Sequence, residues 1–130
     1  MSDDTARLAL LDEFARRYNR HDVDAIMDCM TEDCVFVSFF GAEPFGERFT
    51  GAERVRQRVA AFLEEWPDAR WDDASHFVAA DRGVSEWRFS GTRRGTSERV
   101  ERYGCDLLTF RDDRIQIKDT YQKWRAGGST

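Results

Sequence analysis

The stretch GCDLLTFRDDRIQIKDTYQKW, residues 104–124, decides how this chain folds. Two strand-like runs flank Arg111-Asp112-Asp113-Arg114, a polar tetrapeptide suited to a tight turn. Centring a hairpin on that turn sets Phe110 opposite Ile115, Leu108 opposite Ile117 and Asp106 opposite Asp119. Side chains alternate along a strand, so these pairs share one face. That reading assumes a regular hairpin, because one extra residue in either strand swaps the faces beyond it.

The same pattern extends back to about Ala69. Asp81-Arg82-Gly83 and Arg93-Arg94-Gly95 are two further turn signals, giving four consecutive strands with no helix between them. Such an order predicts an antiparallel meander. Centred on these turns, Val78 faces Ser85, His76 faces Trp87, Phe89 faces Val100, Trp87 faces Arg102 and Ser85 faces Gly104. One face then carries the apolar set Val78, Trp87, Phe89, Val100, Leu108, Phe110, Ile115 and Ile117. At one end of it sit His76, Arg102, Asp106, Asp119 and Tyr121. The opposite face carries Glu86, Arg88, Glu101, Tyr103, Leu107, Lys118, Gln122 and Trp124, which suits an exposed sheet or a polar dimer interface.

Before the meander the period changes to that of helices. Residues 3–20 place Leu8, Leu11, Phe14, Ala15 and Tyr18 on one face. Asp22 or Asp24 can cap a short second helix with Ile26, Met27 and Met30 inward. Residues 34–40 form an aromatic run of strand length, and Gly41 to Gly46 a loop. Thr50-Gly51-Ala52-Glu53 reads as a capping box opening a third helix striped by Val55, Val59, Phe62, Leu63 and Trp66 and stopped by Pro67. The tail, residues 127–130, reads as loose.

Residues 1–130 fit one domain, large enough for a core without metal or disulfide staples. The net charge of −5 with mixed signs argues against nucleic acid and against an anionic membrane surface. No apolar run is long enough for a membrane span, and the acidic start Met1-Ser2-Asp3-Asp4 is unlike a secretory signal. Three cysteines, with no C-x-x-C pair, read as reduced thiols in a cytoplasmic protein. With two histidines, neither spaced for a ligand set with cysteine, no metal and no cofactor is expected.

An apolar face with a local polar cluster is the sequence pattern of a ligand pocket. Two carboxylates facing each other in an apolar wall repel, so one would keep its proton to higher pH and donate a hydrogen bond. Asp106 and Asp119 are the candidates, with His76 as a further acid or base. Each also has a plain structural reading: Asp106 could pair with Arg102, Asp119 with a neighbouring lysine, and His76 could be a satisfied strand histidine.

Three stretches resemble a known superfamily: FARRYNRHDVDAIMDCMTEDCVFV (14–37), GAEPFGERFTGAERVRQ (41–57) and the hairpin quoted first. In this order they resemble the nuclear transport factor 2-like proteins, which include ketosteroid isomerases, SnoaL-type polyketide cyclases and limonene epoxide hydrolases. The resemblance implies a cone-shaped α+β barrel, with three N-terminal helices packed on a curved, mainly antiparallel sheet, and a homodimer. The face count and the resemblance together point to a pocket lined by Phe14, Tyr18, Ser38, Trp87, Arg102, Leu108 and Tyr121. Against the ketosteroid isomerases, the general-base position falls on Ser38, one oxyanion donor on Phe14 and the other on Asp106. Only Asp106 keeps the chemistry, so that isomerisation is not expected. SnoaL-type cyclases are similar in using a sheet aspartate as acid/base, a part open to Asp106. The epoxide hydrolase relay is suggested loosely by Asp106, Arg102 and Asp119. The expected ligand is a small apolar compound with a carbonyl group. The rival is a non-catalytic binding or dimeric protein-interaction module, favoured if the cavity falls below roughly 100 Å³, since small ligands need about 300 Å³ or more.

Overall fold

The computed structural model describes residues 2–126; the tail at 127–130 lies outside them. The order is α1 (Ser2–Asn19), α2 (Val23–Asp28), β1 (Met30–Glu43), β2 (Gly46–Thr50), α3 (Ala52–Glu65), β3 (Arg70–Ala79), β4 (Arg82–Thr92), β5 (Arg99–Arg111) and β6 (Arg114–Gln122). Three helices pack on one face of a six-stranded open sheet ordered β2-β1-β6-β5-β4-β3. The four C-terminal strands form the expected antiparallel meander. β1 joins the sheet beside β6 and runs parallel to it, so the two ends of the chain meet in the middle of the sheet.

The helices bury the faces their spacing selects. Leu11, Phe14 and Tyr18 of α1 are buried, as are Val55, Val59 and Leu63 of α3. They meet Leu108, Phe110 and Ile115 of the sheet in one core cluster. A second cluster of Trp66, Ala69, Trp87, Phe89 and Val100 closes the other part of the face. Leu8, expected inward, is among the exposed apolar residues, near the helix start. Asp22 caps α2, its carboxylate accepting from the Ala25 amide at 3.2 Å. Cys29, Cys34 and Cys105 are all free thiols. Among the described residues no helix is long and apolar enough to cross a membrane.

Two local expectations need correction. The loop and capping box conceal β2, whose Thr50 pairs with Val35 of β1. Thr50 is thereby committed to the ladder, and Gly51 becomes the N-cap of α3 without a side-chain cap bond. Gly51 has φ 93°, a left-handed turn that favours glycine, and its amide donates to the Cys34 carbonyl at 2.7 Å.

The registers also differ from the centred hairpins. β3 and β4 turn at Ala80-Asp81, one residue early, so His76 faces Ser85 and Val78 faces Gly83. In the next hairpin Phe89 faces Arg102, Trp87 faces Gly104 and Ser85 faces Asp106. Both shifts are by two residues, which changes the partners and leaves the faces intact. The last hairpin is different. Phe110 faces Ile115, but Thr109 faces Ile117, so Gln116 is an extra, bulged residue. Beyond it Leu108 faces Lys118 and Asp106 faces Thr120. The bulge therefore turns Lys118, Thr120 and Gln122 inward and Asp119 and Tyr121 outward, the reverse of the regular hairpin.

Candidate functional site

The registers line up a polar row across four strands on the helix-covered face: His76, Ser85, Asp106 and Thr120. Trp87, Gly104 and Gln122 form the neighbouring row on one side, and Gly83, Leu108 and Lys118 the row on the other. Gly104 makes space for the row beside it. A Cβ there would lie 2.7 Å from the Trp87 ring and 2.5 Å from the Tyr121 carbonyl oxygen, so the indole lies flat across the sheet only because residue 104 has no side chain.

Asp106 is the centre of this cluster. The Trp87 indole N–H donates to its Oδ2 at 3.0 Å, and the Thr120 hydroxyl donates to its Oδ1 at 2.6 Å. The Lys118 ammonium donates to the same Oδ1 at 3.0 Å and to Thr120 Oγ1 at 3.0 Å. The Asp106 and Lys118 side chains are only 9% and 10% exposed, which makes this a buried ion pair. Three donors, one of them a cation, thus converge on this carboxylate. Asp106 accepts all three of these bonds. The charged donor is Lys118. Burial is the largest influence and works against its charge, but Asp106, Tyr18 and Asp119 together outweigh it and hold the ammonium above its ordinary pKa. The ammonium also lies 5.2 Å from the Tyr18 ring centroid and 4.9 Å from that of Phe36. Burial pushes the Tyr18 phenol up.

The other end of the row reaches solvent. His76 Nδ1 lies 2.8 Å from Ser85 Oγ, and its Nε2 lies 3.2 Å from Asp12 of α1. The imidazole is 7% exposed and the Asp12 carboxylate 59%. Since a carboxylate only accepts, Nε2 carries the proton toward Asp12, and Nδ1 accepts the Ser85 hydroxyl hydrogen. Burial pulls the His76 pKa below its usual 6.5, against the opposing pull of Asp12.

The polar row opens on connected spaces. A cavity of about 30 Å³ touches Phe14, Tyr18, His76, Ser85, Asp106 and Lys118. A chamber of about 60 Å³ shares Tyr18, Trp71, Trp87 and Lys118 with it and adds Ser38, Arg58 and Thr120. Outside the chamber is a wider vestibule of about 340 Å³, which shares Ser38, Phe39, Arg58, Phe62 and Gln122 with it. Arg102, Trp124 and Glu47 belong to the vestibule alone. The Arg102 guanidinium stacks 4.4 Å from the Trp124 ring and reaches Gln122 Oε1 at 3.4 Å. Desolvation lowers its pKa.

Of the residues singled out from sequence, Phe14, Tyr18, His76, Trp87 and Asp106 converge on the inner spaces. Ser38 is buried between chamber and vestibule, and Arg102 lines the vestibule. Leu108 is core, 1% exposed. Asp119 and Tyr121 are on the other face of the sheet. The Tyr121 hydroxyl is 3.4 Å from Asp119 Oδ2, and burial raises the Asp119 pKa. Asp106 therefore has no second acid facing it across the last hairpin. Lys118, Thr120, Gln122, Ser85 and Arg58 escaped the sequence reading. The first three followed from the unseen bulge, and Arg58 lies on α3 outside the apolar stripe that its spacing marks. Trp124, assigned to the outer face, instead packs 6.1 Å from both Phe39 and Phe40. Among the described residues no cluster of His, Cys, Asp or Glu could hold a metal ion.

A cone of three helices on a bent mixed sheet, with a polar cluster at its inner end, defines a recognisable class. The family model of the SnoaL-like domain matches residues 11–117, and the chain belongs to that family. A nuclear transport factor 2-like protein of unknown function from Mesorhizobium loti superposes with a TM-score of 0.77 at 26% identity, covering 93% of both chains. A putative polyketide cyclase from Xanthomonas campestris pv. campestris gives 0.80 at 16% identity, over 91% of this chain and 90% of that one. A Catenulispora acidiphila protein with a ketosteroid isomerase-like fold, solved with trimethylamine, gives 0.75 at 15% identity over 92% and 87%. No curated protein matches the sequence.

Proposed function

We propose that the cone binds a small, largely apolar carbonyl compound and moves a proton on it, with Lys118 meeting the carbonyl oxygen. The observation that carries this reading is the buried Lys118 ammonium, fixed by Asp106 and Thr120 on the wall of the inner chamber. A cation held in a dry wall stabilises an oxygen that gains negative charge, because the low dielectric strengthens the attraction and nothing must reorganise. Asp106 is the positioning residue for that ammonium and its counter-ion.

The proton goes the other way along the row. The ligand's acidic C–H gives its proton to Ser85 Oγ as the Ser85 hydroxyl hydrogen passes to His76 Nδ1. The electron pair left behind moves onto the carbonyl oxygen beside Lys118. His76, neutral near pH 7 because of its burial, is the base, and Asp12 steadies the imidazolium that forms.

The test is hydrogen exchange. Cyclic and aryl ketones that raise the melting temperature are incubated with the protein in D2O, and deuterium uptake beside the carbonyl is followed by NMR. Uptake by the native protein, abolished in Lys118→Met and slowed in His76→Gln, is the expected result. Binding without uptake would sink the catalytic step.

That outcome would favour a second reading, a non-catalytic binder. Its supporting observation is the inner chamber of about 60 Å³, which by itself is too small for a whole ligand. A ligand must extend into the vestibule of about 340 Å³ to reach the usual size. A cytoplasmic homodimer agrees with the free cysteines and with Tyr103 and Tyr121 exposed on the outer face. Sedimentation as a clean monomer would remove the dimer.

A further inference from the structure

The side chains of Asp12, His76 and Ser85 form a continuous polar chain that ends on a cavity. Asp12 Oδ1 lies 3.2 Å from His76 Nε2, and His76 Nδ1 lies 2.8 Å from Ser85 Oγ. The three come from α1, β3 and β4, so only the packing of the helix on the sheet assembles them. A hydroxyl in reach of an imidazole whose other nitrogen is held by a carboxylate is the arrangement that turns a serine into a nucleophile. Either ring nitrogen can accept while the other donates, so it is the order of the groups that matters. Ser85 is buried, and it lines the cavity of about 30 Å³ together with Lys118. The wall of one space thus carries both a nucleophile with its base and a fixed cation. Asp106, on the same wall, accepts from Lys118, Thr120 and Trp87 and keeps that cation in place.

We infer that Ser85 is a nucleophile and that the protein has a second activity, the hydrolysis of short-chain acyl esters through an acyl-serine. The inference rests on the reading of Lys118 as the group that meets a carbonyl oxygen, and adds a covalent bond to Ser85. Ser85 Oγ attacks the ester carbonyl carbon as its hydrogen passes to His76 Nδ1, and the carbonyl electron pair moves onto the oxygen beside Lys118. When that double bond forms again, the ester C–O bond breaks and the departing alcohol takes the proton from His76 Nδ1. Water then attacks the acyl-serine and gives its proton to Nδ1. The carboxylic acid leaves as Ser85 Oγ recovers its hydrogen. Asp12 is a positioning residue: it fixes the tautomer and faces the imidazolium formed in each half of the reaction. The space sets the substrate class. About 30 Å³ holds about two water-sized groups, which suits an acetyl rather than a long chain. The adjoining chamber shares the Tyr18, Trp71 and Trp87 rings with the cavity, so the alcohol is an aromatic one.

The experiment uses 4-nitrophenyl acetate as the probe on the full chain. Nitrophenolate release is followed by absorbance, and the acetylated residue is located by peptide mass spectrometry after an acid quench. A burst of nitrophenolate equal to the amount of protein, with the acetyl group on Ser85, is the expected result. His76→Gln should slow acetylation by about a hundredfold or more. Ser85→Ala should abolish the burst while circular dichroism shows the fold kept. Ser85→Cys leaves a nucleophile in place and should be acetylated at the same position. Acetyl groups found only on Lys118, Lys123 or other side chains overturn the inference, and so does a burst that survives in Ser85→Ala. Deuterium uptake beside a ketone without acetylation of Ser85 overturns the inference and leaves the proton-transfer reading standing. Acetylation of Ser85 without deuterium uptake upholds the nucleophile and overturns the proton-transfer reading.

Discussion

The inner end of the cone and its mouth treat charge in opposite ways. At the inner end, Lys118 is buried but matched, with Asp106 and Thr120 within 3.0 Å. At the mouth, Arg58 is half-buried on the wall of a wider space. The difference lies in how completely each charge has left water. Burying two charges is offset only when they are paired and their remaining hydrogen bonds are met. The inner end meets that condition from its own strands, and so it can be dry before any ligand arrives. The Arg58 side chain at the mouth keeps part of its length in water, where a charge is less costly to hold.

The strongest way to break this comparison is to remove one inner charge. Lys118→Met should lower the unfolding free energy by about 3–5 kcal/mol, because Asp106 is left buried without its cation. Urea titration measures it, and the double variant Lys118→Met/Asp106→Leu should lose less than the single one. A loss below about 1 kcal/mol in the single variant would mean that the pair behaves like a surface one. Next in size, Trp87→Phe removes one donor to the carboxylate and should cost about 1–3 kcal/mol.

A smaller effect separates the two ends by pH. His76 has a folded pKa below 6.5, so the unfolded chain binds more protons as pH falls through 6.5. The stability His76 contributes is complete above 6.5 and is lost as pH falls toward the folded pKa, by at most about 1.4 kcal/mol per pH unit. Thermal melts from pH 7.5 to 5.5 should show that slope, and His76→Gln should flatten it. The smallest effects belong to the mouth and to the outer face. Arg58→Gln and Tyr121→Ser should each change stability by no more than about 0.5 kcal/mol. If Tyr121→Ser altered ligand binding more than Asp106→Asn did, the inward and outward faces of the last strand would have been exchanged.

Those faces mark the limit of what could be read in advance. The meander up to Leu108 was legible, because errors of two residues in a hairpin leave every side chain on its proper face. Asp106 and His76 therefore fell on the correct side although their partners were misassigned. The final strand failed because Gln116, flanked by Ile115 and Ile117, looks like any residue of a regular strand. Nothing in Ile-Gln-Ile marks a bulge; it is selected by how β6 must fit β5 on one edge and β1 on the other. Arg58 was illegible for a related reason. It lies on a helix among Arg54, Arg56 and other polar residues, and only the packing of α3 over β1 turns that position toward the cavity.

The amino-acid sequence by itself determined the helices, the turns and the apolar face, because these follow from local periodicity and from turn chemistry. It also selected the family and the single aspartate at the inner end. Only the tertiary structure decided what stands beside that aspartate. The bulge exchanges a facing carboxylate, Asp119, for the pair Lys118 and Thr120, and so surrounds Asp106 with donors in place of a second acid. A shift of one residue in a strand is invisible in composition and spacing, yet it reverses the sign of the charge that a buried group meets.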